Sequence, residues 1–299
     1  MKLFLFLFVG LVMGPSFLEI GFPKFADPVA SICANLFLLM AGLELSFKKM
    51  GRQLLPAAKL SVGAFLFPFL TGLIAAMIIL RDTPLAGPES YIFIALALAV
   101  SALPVAIQIL KDLKLYHTDL GRLIIATATL CDILAWVCFA LILPAESLKS
   151  WFVTHLSLVF FFLGLALSDS PYPSERLREQ LQRLNTWVFG PIFFISIGWK
   201  LNLWLNLDWS QVLLVFILAS VSKWGGSYWT ARQMGFSKQR SLLLGLTLNS
   251  RGAVEIIISN LALQQGLISE KIFATLVILA IATSLIPGPV TRLAKLRDE

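Results

Sequence analysis

A chain of 299 residues with 58% hydrophobic content, 14% charged residues and a mean hydropathy of +0.84 does not belong to the water-soluble class, in which about a quarter of residues are charged. The formal net charge of +7 does not point to nucleic acid, because the basic residues sit in short connections between apolar blocks and form no continuous stripe. The three cysteines, Cys33, Cys131 and Cys138, lie inside apolar segments and give neither a disulfide framework nor metal-ligand spacing.

The apolar residues fall in blocks of about 18 to 27, the length an α-helix needs to cross a hydrocarbon core of roughly 30 Å. In chain order the spans are expected at 3–22, 28–47, 54–80, 91–110, 120–144, 151–167, 186–205, 209–231, 241–262 and 272–293. The first could instead be a signal peptide behind Lys2, but Gly14, Pro15 and Ser16 run on into apolar sequence and no A-x-A site follows. Between the sixth and seventh spans, SERLREQLQRL puts Leu177, Leu181 and Leu184 on one helical face, which predicts an interfacial amphipathic helix.

Loop charges test this order independently, because cytoplasmic connections are rich in Lys and Arg. One alternate set carries Lys48, Lys49 and Arg52, then Lys111, Lys114 and Arg122, then Arg176, Arg178 and Arg183, then Arg232, Lys238 and Arg240, and finally Arg292, Lys295 and Arg297. The other set has only Lys24, Arg81, Lys149 and Lys271. The alternation predicts a multi-pass membrane protein with both termini cytoplasmic, and a bacterial inner membrane is the expected setting.

Five spans per half makes the second half start on the opposite side of the membrane and run inverted. LFLLMAGLELSF around Gly42 in the second span aligns with IFFISIGWKLNL around Gly198 in the seventh, matching Phe37 with Phe193 and Leu45 with Leu201. The fourth span is interrupted at Ser101-Ala-Leu-Pro104 and the ninth at Asn249-Ser-Arg-Gly252. Backbone groups freed by Pro or Gly at such breaks must find partners inside the protein rather than in lipid. Breaks at matching places in two inverted halves point to a transport site. The expectation is an all-α polytopic membrane domain over 1–299, with repeats at about 3–144 and 151–293.

Two ionisable residues stand in the middle of apolar spans, Asp132 in LIIATATLCDILAWVCFALIL and Lys223 in VLLVFILASVSKWGGSYW. A charge at the bilayer centre costs roughly 3 kcal/mol on insertion scales and is kept where it is paired or lines an ion path. Lys223 either holds the empty Asp132 until an ion arrives or forms a permanent structural bridge with it. Arg251 and Glu255, four apart, read as mutual partners on one helix face. Ser101, Thr129 and Asn249 are placed to lend oxygens to a cation or to cap broken helix ends. His117 and His155 have no companion with metal-ligand spacing, and no nucleophile triad, phosphate loop or zinc motif indicates an enzyme or a cofactor.

FLLMAGLELSFKK, SALPVAIQILKDL, LGRLIIATATLCDILAW, PIFFISIGWKL and LGLTLNSRGAVEIII, in this order, resemble the monovalent cation/proton antiporter-2 family. That family includes glutathione-gated potassium efflux proteins and plant cation/proton exchangers. The resemblance implies two crossing broken helices in a mobile core, at about 54–144 and 209–293, beside a static dimerisation part. It implies a homodimer exchanging a monovalent cation, Na+ or K+, for a proton. It places the ion-carrying aspartate at Asp132, its basic partner at Lys223 and the arginine of the second broken helix at Arg251. Cys131 departs from the family, which often has Asn, Gln or Asp there, and the chain is short by about one span before the first and two between Asp132 and Phe162. A bile acid/sodium symporter-like carrier and a shortened, non-transporting membrane subunit are the rival readings.

Overall fold

The structure is a computed structural model and describes residues 2–23, 25–45, 48, 51–81, 83–143, 148–172 and 174–285. The end of the expected tenth span and the basic tail lie outside the described residues.

Every regular element among the described residues is helical. In chain order these are α1 (Lys2–Met13), α2 (Ala26–Glu44), α3 (Leu54–Ile79), α4 (Pro88–Ala99), α5 (Leu103–Asp112), α6 (Asp119–Ile142) and α7 (Leu148–Ser168). There follow α8 (Glu175–Leu184), a π-helical turn (Asn185–Phe189), α9 (Gly190–Lys200), α10 (Leu203–Asn206), α11 (Trp209–Gln233), α12 (Lys238–Leu248), α13 (Ala253–Gln264) and α14 (Glu270–Leu285).

By length and apolarity, five stretches among the described residues qualify as membrane spans, or six when the bent pair α12 and α13 is taken as one. This is fewer than the ten expected. The first span stops at Met13 in a turn around Gly14, and the seventh runs helically through the π-turn and α9 to Lys200 and is interrupted at Leu201 and Asn202 before the short α10. The amphipathic helix forms as α8, with Leu177 and Leu184 exposed. Its Arg178 donates to the carbonyls of Leu167, Ser168 and Ser170, closing the end of α7.

The chain divides into two compact units. The first comprises 1–49 and 143–207 and holds α1, α2 and α7 to α10. In it α1 packs on α9 and α2 on α7. Both contacts are backbone on backbone: a Cβ at Gly198 would strike Leu7 O and one at Gly10 would strike Ile195 O, while Gly42 faces Phe161 O and Gly164 faces Leu39 O. Where lipid tails are as apolar as side chains, such close approach is what holds helices together.

The second unit comprises 50–142 and 208–299 and holds α3 to α6 and α11 to α14. Its spine is the pair α3 and α11, pressed together at Gly63 and Gly226, each of which faces the other's carbonyl. Outward, α3 exposes Leu55, Val62, Leu66, Leu70, Ile74 and Met77, and α11 exposes Leu213, Ile217 and Val221. Apolar faces of this extent suit a lipid surround rather than water. The half-helices α4, α5, α12 and α13 lie in this unit, with α4 and α5 packed on α6 and α12 on α11.

Candidate functional site: two broken helices around a buried carboxylate

The first break spans Val100, Ser101 and Ala102. α4 ends at Ala99 because Val100 turns to extended backbone (ψ 144), and α5 restarts with Pro104 in its first turn, where a missing N–H costs nothing. The second break runs from Asn249, which caps α12, to Gly252, which opens α13, and the two half-helices are bent by 42°. The breaks meet where the Ala102 amide donates to Ser250 O at 2.9 Å. A Cβ on Gly252 would lie 2.9 Å from Ala102 Cβ, so the absence of a side chain there permits the approach. Ser284 Oγ, from α14, donates to Arg251 O and ties down the second break.

Two cations meet at the end of α4. Lys223, fully buried on α11, donates through Nζ to Ala99 O, and to Val100 O at 2.9 Å. Arg251, also fully buried, donates through Nη1 to Ala97 O at 2.6 Å and through Nη2 to Leu98 O. The last carbonyls of a helix have no intrahelical donors and carry the negative end of its dipole, so a half-helix ending inside a membrane protein needs this kind of cap. Arg251 Nη1 also reaches Glu255 Oε1 at 3.3 Å, the i,i+4 pair expected from the sequence. The expected ion pair between Lys223 and Asp132 does not form. Lys223 lies within electrostatic reach of Asp132, but its donors go to backbone carbonyls. The physical reason is that four consecutive carbonyls at a buried helix end compete for both cations.

Asp132 sits on α6 at 3% exposure and faces the opposite kind of helix end, the start of α5, where the amides of Ser101 and Leu103 are directed at its carboxylate. Its Oδ1 has no hydrogen-bond partner. Cys131 beside it is fully buried and neighbours Ser101. Ser101 Oγ, with the Cys131 thiol beside it, and Asn249 Oδ1 are also buried and have no hydrogen-bond partner among the described residues. Thr129 is different: its hydroxyl donates to Ile125 O at 2.9 Å within its own helix. Pro104 is exposed, Glu255 is buried at 1% exposure, and Glu255 Oε2 has no partner.

The carbonyls of Ala97 to Val100 and the amides of Ser101 and Leu103 bring backbone polarity to the site, and no residue type in the sequence marks them. The breaks themselves are the only sequence signal that could have located them. The assembled site places one carboxylate with a free oxygen, a hydroxyl oxygen, an amide oxygen and a positive helix end in a buried surround. Such a group can accept either a proton or a cation.

The family model described as "Sodium/hydrogen exchanger, transmembrane" matches residues 2–162 and 148–294 of the chain. The chain is 26% identical to cation/H(+) antiporter 15 of Arabidopsis thaliana, with 94% of this chain and 43% of that protein covered. It is 26% identical to the Na(+)/H(+) antiporter NhaS4 of Synechocystis sp., with 94% and 87% covered. It is 22% identical to K(+)/H(+) antiporter 1 of Saccharomyces cerevisiae, with 93% and 41% covered. The chain thus spans less than half the length of the plant and yeast relatives. The plant alignment runs over 359 positions but takes in only 94% of the 299 residues of this chain, so this chain lacks segments which that relative has. In fold it is similar to the sodium proton antiporter MjNhaP1 of Methanocaldococcus jannaschii, with a TM-score of 0.70 at 16% identity, covering 98% of this chain and 91% of that one.

Proposed function

Because the chain belongs to the sodium/hydrogen exchanger transmembrane family, a family of multi-pass membrane transporters, we propose that it exchanges a monovalent cation, Na+ or K+, for a proton. The two compete for the Asp132 carboxylate. The observation that carries this reading is the free oxygen of a buried aspartate at the crossing of two broken helices. Burial favours the neutral acid, and a cation favours the carboxylate. Either occupant neutralises the group and allows the site to alternate between the two sides of the membrane, whereas the empty carboxylate resists the move. One carboxylate carrying one charge makes the exchange one for one. Ser101 and Asn249 lend oxygens to the cation, and Lys223 and Arg251 hold the end of α4 in place.

The same reading includes ten spans in two inverted repeats, at about 3–144 and 151–293, with core helices at about 54–144 and 209–293, both termini cytoplasmic, a bacterial inner-membrane setting and a homodimeric assembly. The glycine contacts support the repeat. If the first span corresponds to the sixth and the second to the seventh, the α1–α9 contact at Gly10 and Gly198 becomes the α7–α2 contact at Gly164 and Gly42. The third and eighth spans then meet each other: Gly63 faces Thr230 and Gly226 faces Phe67, each partner lying four residues beyond the opposing glycine. The compact unit at 50–142 and 208–299 has the extent proposed for the core.

A second reading, a membrane subunit that no longer transports, is favoured by the segments that the plant relative has and this chain lacks. Reconstituted vesicles holding a pH-sensitive dye separate the two. Addition of Na+, K+ or Li+ is expected to drive proton movement through the wild type, and Asp132→Asn is expected to abolish it at normal protein yield, because an amide does not trade a proton for a cation near neutral pH. Undiminished flux through Asp132→Asn refutes the aspartate mechanism, and no flux through the wild type under any of the three cations establishes the second reading.

A further inference from the structure

α13 carries two polar side chains that the Asp132 site leaves unused. Glu255 is 1% exposed and Ser259, one turn further on, is 0% exposed. Arg251 Nη1 reaches Glu255 Oε1 only at 3.3 Å, because both terminal nitrogens of the guanidinium are engaged by the α4 carbonyls. Glu255 Oε2 and Ser259 Oγ have no hydrogen-bond partner among the described residues. A buried polar atom left unsatisfied costs about 1–3 kcal/mol, and proteins meet that cost with internal water. Side chains four apart on a helix start about 5–6 Å from each other, a gap that one water bridges between a carboxylate and a hydroxyl.

The two groups lie on α13 between the second break and the far end of that helix. On one side Glu255 lies within electrostatic reach of Lys223, and Lys223 within reach of Asp132. On the other, Gln264, exposed at the end of α13, lies five positions beyond Ser259, a rise of about 7.5 Å along the helix. Packing alone does not call for this pattern: α5, the half-helix that follows the first break, buries only Leu103, Ala106, Ile109 and Leu110.

We propose that Glu255 and Ser259, bridged by water, form the proton route between the Gln264 end of α13 and the site, a route distinct from the cation's path to Asp132. The Ser259 hydroxyl accepts a proton from water on one lone pair as it passes its own to the bridging water. Glu255 Oε2 takes the proton from that water and passes it to the Asp132 carboxylate, which leaves Ser259, the water and Glu255 at their starting charges. The proton then leaves Asp132 on the opposite side of the membrane, where the cation takes its place. The proposal rests on the antiporter reading.

The test compares two exchanges in the same proteoliposomes. Proton-coupled uptake of radioactive Na+ needs the relay, whereas counterflow of Na+ against Na+ needs only the cation path. Ser259→Ala is expected to slow proton-coupled uptake at least tenfold while counterflow stays within twofold of wild type, and Ser259→Thr, which keeps the hydroxyl, is expected to restore the coupled rate. Glu255→Gln is expected to lose the coupled rate to a greater degree than counterflow. Equal loss of both exchanges in Ser259→Ala, or loss of neither, overturns the relay while leaving the antiporter reading intact. A wild type that shows neither exchange with radioactive Na+, nor with radioactive Rb+ standing in for K+, overturns the antiporter reading and the relay with it.

Discussion

Replacing Lys223 by methionine tests what the buried ammonium does. The substitution keeps the length of the side chain and removes the donor to Ala99 O and Val100 O. Each carbonyl left unsatisfied in a buried setting costs about 1–3 kcal/mol, and the recovered desolvation of the ammonium, several kcal/mol before relaxation, acts in the opposite direction. The expected net effect is a destabilisation of about 2 kcal/mol. The decisive measurement is a double-mutant cycle with Asp132→Asn, with unfolding followed in detergent micelles. If the partners of Lys223 are carbonyls, removing the aspartate does not rescue Lys223→Met, and the coupling between the two substitutions stays below about 1 kcal/mol. A double variant as stable as Asp132→Asn alone refutes this reasoning, because it means that the only task of the lysine was to neutralise the carboxylate.

Gly198→Ala places a Cβ against Leu7 O and the backbone around Gly10, and overpacking of this kind costs about 1–3 kcal/mol, measurable as a lower unfolding midpoint; an unchanged midpoint refutes the close contact between α1 and α9. Asp208 caps α11, accepting from the Ser210 hydroxyl and from the amides of Ser210 and Gln211, so Asp208→Ala is expected to cost about 1 kcal/mol near neutral pH. The Ser210 hydroxyl bond holds the Asp208 carboxyl below its ordinary value; its contribution is therefore full above the unfolded carboxylate range and fades as pH falls through the lower folded value, so the difference from wild type should shrink in acid. Thr83→Cys should react with an impermeant thiol reagent from the side opposite to Ser170→Cys, and labelling of both from one side refutes the alternating topology.

The parts of the site that depend on residue type were legible. Asp132, Lys223 and Arg251 stand out because charges in apolar runs are rare, and Pro104 and Gly252 mark places where helical hydrogen bonding is interrupted. Ser259 was not legible, because a hydroxyl in an apolar helix usually bonds back to its own backbone, as Thr129 does to Ile125 O. Only the neighbourhood of each hydroxyl separates the committed one from the free one.

The sequence by itself determined the apolar segments and the positions of the two breaks, since helix formation and its interruption are governed by hydrogen bonds four residues apart. The family followed from motifs that keep their order along the chain. The tertiary structure alone decided where the two buried cations go. Lys223 and Arg251 are more than 120 and 150 residues from the carbonyls they cap, and those carbonyls belong to Ala97, Leu98, Ala99 and Val100, whose side chains are apolar. The sequence pattern pairs a lysine with an aspartate because opposite charges attract. The fold pairs it with a helix end, because four carbonyls stripped of water at one point make the greater demand for donors.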